Sequence, residues 1–206
     1  MLHLRRPKGC ACAAACATPS QRRRSPNKAV SARGVRRVTW QAGLLGNATD
    51  QFLGNAFTSY AARLTAGHVA LDDATRAIDQ AAGGANTAGT FHKFNLEVQR
   101  AQFWSNRFSL NASLQAQFAS RNLTSAEKMS LGGPAGVRGY PVGEGVGDSG
   151  AMASLELRYQ LPPVFNLAGE PVSVGVFYDT GSVRINQEPS AAATQRVSLD
   201  SAGLAL

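Results

Sequence analysis

The chain has 206 residues, 44% of them hydrophobic, and carries 21 Lys and Arg against 13 Asp and Glu, a formal charge of +8. The excess sits at one end: ten of the bases and none of the acids lie in residues 1–37, leaving 11 bases against 13 acids in 38–206. Nucleic-acid binding needs a basic face on the folded part, so no nucleic-acid partner is expected; nor is a transmembrane helix, since no run of about 18 apolar residues exists.

Residues 1–37 also hold all three cysteines, Cys10, Cys12 and Cys16, within the low-complexity run GCACAAACATPSQRRRSP. Tetrahedral zinc wants four ligands and His3 stands alone, so no metal site is expected there. A secretory signal needs an apolar core of about 7 to 15 residues, which ACAAACA imitates weakly. The segment reads as a disordered basic head outside the fold, behind an atypical start, with an Arg-rich transit peptide as the alternative.

The pattern then changes to a period of two. Val38, Trp40, Ala42 and Leu44 form one apolar row, and Ala56, Thr58, Tyr60, Ala62, Leu64 and Ala66 a weaker one. In ALDDATRAIDQAA, Ala70 to Ala82, Leu71, Ala74 and Ile78 recur at helical spacing, which fits either a helix or a mobile loop. Phe94, Leu96 and Val98 oppose Lys93, Asn95, Glu97 and Gln99, with Arg100 on the apolar face, tolerable only near a membrane interface. The clearest segment is Arg107 to Phe118, where Phe108, Leu110, Ala112, Leu114, Ala116 and Phe118 alternate with polar residues. Such alternation puts one set on each face of a strand. At ~3.3 Å per residue it runs about 36 Å, and tilted by about 40° it crosses roughly 28 Å, enough for the apolar band of an outer-membrane barrel.

Ala151, Ala153, Leu155, Leu157 and Tyr159 oppose Ser154, Glu156 and Arg158; Val172, Val174, Val176 and Tyr178 oppose Ser173, Gly175, Phe177 and Asp179. A last segment starts near Arg196. The connections alternate short (47–52, 104–106, 161–170) and long (68–90, 121–148, 182–195), as expected for tight periplasmic turns and extended external loops. The fold class is therefore all-β: an antiparallel transmembrane β-barrel, incomplete, with about seven strands of a larger barrel spanning 38–206. A soluble sandwich or lipocalin-like barrel is the competing reading, with shorter strands and no segregation of loop lengths.

Catalytic signals are missing. GEGVGD, Gly143 to Asp148, has neither the preceding strand nor the following helix of a nucleotide-binding loop. No Gly-x-Ser-x-Gly elbow occurs, His68 and His92 read as surface residues, and Asp72, Asp73 and Asp79 lack calcium-loop spacing. No catalytic residue, metal, cofactor or nucleotide is expected.

Within loop 121–148, GGPAGVRGY packs four glycines and a proline around one charge, Arg138. Glu144 and Asp148 are local candidates to pair with it. Asp179 is the other, since alternation places it on the inward wall, within reach if the loop folds back into the barrel.

LGGPAGVRGYPVGEGVGDSG, then LELRYQLP, then VFYDTGSV resembles the haemolysin secretion and activation transporters of two-partner secretion, the TpsB branch of the POTRA-and-barrel superfamily. Two motifs carry the resemblance: the tetrad Val137, Arg138, Gly139, Tyr140, and a Phe-x-Asp-x-Gly motif at Phe177, Asp179 and Gly181, with Arg138 and Asp179 41 residues apart. The resemblance implies an outer-membrane pore, embedded in outer-membrane lipid, that secretes or activates a partner exoprotein of haemolysin or haemagglutinin type. It also implies that the loop plugs the lumen and that Arg138 pairs with Asp179. Glu156 and Arg158, facing inward, are expected to join that network, with Val137 and Tyr140 packing the loop tip and Gly139 allowing close approach. The periplasmic domains and first strands of such transporters are not recognisable here. A barrel that assembles other outer-membrane proteins and a non-functional barrel remnant are the alternatives.

Overall fold

A computed structural model describes residues 12–16, 35–81, 84–166, 170–188 and 195–206. A short strand, β1 (Cys12–Cys16), lies beside β2 (Val35–Asp50), followed by β3 (Asn55–Leu71), β4 (Gly89–Phe103) and β5 (Phe108–Ala119). Two-residue strands β6 (Met129–Ser130) and β7 (Val146–Gly147) form a separate ribbon, after which β8 (Ser149–Gln160), β9 (Ser173–Arg184) and β10 (Arg196–Ala205) complete the main sheet. Its order is β1-β2-β3-β4-β5-β8-β9-β10, an antiparallel meander open along β1 and β10. The seven long strands are those that the alternation picked out, and the sheet is an incomplete β-barrel.

Several boundaries differ from expectation: the first turn is 51–54 rather than 47–52, and the first long connection 72–88 rather than 68–90. β2 begins at Val35 rather than Val38, because β3, at 17 residues, continues to Leu71 and offers Val35–Arg37 a ladder partner each. Cys12–Cys16 pairs along Gln41–Leu45, so the head is not wholly outside the sheet; backbone pairing needs no side-chain period. The rest of the head lies outside the described residues. The last two connections, 161–172 and 185–195, are nearly equal in length. Pro162, Pro163 and Pro171 lack the N–H that a ladder needs and widen the first, while β9 runs on to Arg184 and shortens the second.

Between β3 and β4 the helical spacing produces one short helix, α1 (Asp73–Asp79), capped by Asp72, whose carboxylate accepts from Thr75 N at 2.8 Å. Asp79 is also structural: it accepts from Thr87 N at 2.8 Å, Thr87 Oγ1 at 3.0 Å and Ala88 N at 3.1 Å.

The register sorts the side chains into two faces. Trp40, Leu64, Phe94, Phe118, Leu155, Val176 and Tyr178 lie exposed on one, a continuous apolar face that water would not tolerate on this scale. Arg100 falls on it as the pattern required. There its Nη1 and Nη2 donate to Asp50 at 2.8 and 3.0 Å, with Thr58 and Gln102 beside them. Asp50 ends β2, so the pair sits where the strand meets its turn. The opposite face carries Lys93, Asn95, Gln117, Ser154, Glu156, Arg158 and Asp179, and onto it fold the connections from the long-loop end. Two apolar clusters form under them: Val69, Leu71, Phe91, Ala119 and Leu123; and Leu131, Val137, Val183 and Leu199.

Candidate functional site

Residues 120–148 leave β5 and turn inward over the polar face before returning as β8. The β6–β7 ribbon stiffens the loop, continued by Leu131 N to Gly145 O at 3.0 Å and Gly133 N to Tyr140 O at 3.1 Å. Leu131 and Val137 are fully buried against Val183 and Leu199 of the wall, with Met152, Val197 and Tyr140 around them. Tyr140 adds a hydrogen bond from its hydroxyl to Asp200 O at 3.1 Å. Gly139 makes no close approach: a Cβ there would meet nothing within 4 Å, and what the position demands is φ +88°. Gly139→Ala should therefore cost about 1–2 kcal/mol of backbone strain without a clash, read as a modest loss in thermal or urea stability of the folded barrel.

Arg138 meets two strands at once. Its Nε and Nη2 donate to Asp179 Oδ2 and Oδ1 at 2.7 and 2.8 Å, and its backbone N–H donates to Oδ2 at 3.1 Å. Nη1 donates to Glu156, which also accepts from Arg158 Nε, and Nη2 reaches Ser154 Oγ at 3.2 Å. Ser154 in turn donates to Asp179 Oδ1 at 2.6 Å. The guanidinium carbon lies 3.5 Å from the centroid of the Phe177 ring, a cation–π contact that covers its face. The hydrogen bond to Asp179 holds the guanidinium charged, above its ordinary pKa. Phe177, Asp179 and Gly181 share a face because they stand two apart. The aromatic stacks, the carboxylate pairs, and Gly181 leaves room for Leu131, whose Cδ2 would lie 2.8 Å from an added Cβ. Glu144 is exposed, away from this network.

Sequence reasoning missed the residues that hold the loop's base. Asp148, a local candidate for Arg138, is fully buried and accepts from Lys128 Nζ at 3.0 Å, Leu123 N at 3.0 Å and Gln187 N at 2.8 Å. Lys128 also donates to Ile185 O at 2.6 Å. Glu127 bridges Lys93 at 2.7 Å and Arg37 at 2.6 Å. Asn122 joins all three connections of this end, donating to Ala85 O at 2.8 Å and Glu188 O at 3.0 Å and accepting from Glu188 N at 2.7 Å. The only available signal was that a polar strand face opposite a long charged loop has partners in it.

Heme/hemopexin transporter proteins HuxB of Haemophilus influenzae, strains Rd and 86-028NP, are each 36% identical to this chain over 92 residues, 44% of the chain and 16% of the relative. The matched stretch is thus less than a fifth of those relatives' own length. No solved structure matches. The profile of the haemolysin secretion/activation proteins ShlB/FhaC/HecB, transporters of the Gram-negative outer membrane, matches residues 34–206, and the chain belongs to that family.

Proposed function

We propose that these strands form part of an outer-membrane pore that exports a partner exoprotein in two-partner secretion, and that Arg138 latches the inward loop to the lumenal wall. The observation that carries the reading is the seating of Arg138 across β8 and β9 by Asp179, Glu156 and Ser154. Asp179 is buried while the Arg138 side chain is 35% exposed; such a pair adds little net stability, yet removing the arginine strands the carboxylate, so it fixes position more than it stabilises. The polar wall faces a water-filled path, while the exposed apolar face meets lipid. The sheet edges at β1 and β10 would leave backbone groups unpaired in a bilayer, so the working pore needs further strands to close it.

The relatives' name supports a secreted partner concerned with heme or hemopexin as one substrate class, beside the haemolysin or haemagglutinin type. No chemistry is assigned to any residue, and neither nucleotide nor nucleic acid enters. The test is outer-membrane fractionation of the complete protein with a co-expressed partner. A heat-modifiable band in the outer membrane and export that depends on the transporter are expected. A soluble, heat-insensitive species would sink the reading.

A further inference from the structure

We propose that Glu127 is a positioning residue for the tetrad: clamped between Lys93 and Arg37, it aims the β6–β7 ribbon across the lumen toward the wall that carries Asp179. The inference rests on the reading of Arg138 as the latch. Arg37 comes from β2 and Lys93 from β4, with β3 between them, so the carboxylate bridges a three-strand span. Lys93 and Glu127 side chains are only 11% and 13% exposed. A nearly buried ammonium and carboxylate each need the other, since an unpaired buried charge is costly.

The geometry around Glu127 is that of a clamp with a direction. Lys93 Nζ donates to the Glu127 backbone carbonyl at 3.2 Å as well as to its side chain. Gln117 Nε2 donates to Glu127 O and to Asp148 O, both at 3.0 Å, so one β5 side chain holds the two legs of the loop together. Asn95 Nδ2 fixes that amide by donating to Gln117 Oε1 at 2.8 Å. The ribbon starts two residues after Glu127 and ends one residue before Asp148. Its course to the wall is therefore set at this base, and the tip bonds of Arg138 are made only where it arrives. Arg138 locks the loop; Glu127 points it.

The experiment compares E127Q, E127K and the conservative E127D in the complete transporter, with R138A as control. The readouts are the heat-modifiable band, pore conductance in planar bilayers and export of the partner. E127Q and E127K are expected to keep the folded band, raise conductance severalfold and lose most export, and E127D, which keeps a carboxylate for Lys93 and Arg37, to recover most of both. E127Q carries the comparison if E127K fails to fold. Wild-type conductance and export in E127Q, or E127D no better than E127Q, would overturn the proposal. If R138A too behaves as wild type, the latch reading itself fails; if R138A alone is impaired, only the role of Glu127 fails.

Discussion

Replacing Arg138 by alanine should abolish most export of the partner and raise the conductance of the pore, while the folded barrel remains in the outer membrane. The substitution removes four side-chain hydrogen bonds, to Asp179 twice, to Glu156 and to Ser154, and uncovers the Phe177 ring. Asp179 is buried and would be left with Ser154 as its side-chain donor. Stranding a buried carboxylate costs about 3–5 kcal/mol, and a hydrated lumen lowers that figure. The loop therefore gives way before the sheet does. Arg138→Lys should rescue only part: an ammonium keeps the charge but cannot address both Asp179 oxygens through a rigid fork. Export and conductance of the two variants side by side check the claim, and equal rescue by lysine would contradict it.

The largest stability effect is expected at Asp148. Its carboxylate is the meeting point of Leu123 N, Gln187 N and Lys128 Nζ, and the side chain is fully buried. Asp148→Ala leaves two backbone donors without their acceptor and the nearly buried Lys128 ammonium without its carboxylate, with only Ile185 O and Asn186 Oδ1 left to accept from it, at about 3–5 kcal/mol. Asp148→Asn keeps the shape and one acceptor oxygen and should cost less. Urea titration of the folded, heat-modifiable form reads the difference. Both variants should loosen the junction of 120–148 with 185–188, where Arg138→Ala should leave that junction intact.

How far these results were legible in the sequence depended on the kind of contact. The strands were readable because Phe108 to Phe118 alternates without a break, and a period of two admits one structure. The same parity put Phe177 and Asp179 on the inner wall and Arg100 on the outer. It did not reveal that Arg100 meets Asp50, because that contact crosses 50 residues and depends on the register of β2 on β3 and β3 on β4. The base of the loop was hidden for the same reason: Glu127 meets Lys93 and Arg37 through folding of an irregular segment, which has no period to read. The role of Gly139 was misjudged because a glycine alone does not say whether space or a positive φ is required.

The partners of Arg138 all lie downstream of it in the chain. Ser154 and Glu156 stand on β8, Asp179 on β9, 41 residues on. The full set of Arg138 contacts therefore exists only when β8 is paired with β5 and β9 with β8. Contacts of such long sequence separation form late, since chain entropy must be spent before they are rewarded. The seat of Arg138 is therefore sensitive to register: a β9 slipped by one residue against β8 would turn Asp179 to the apolar face and leave the guanidinium without its main partner.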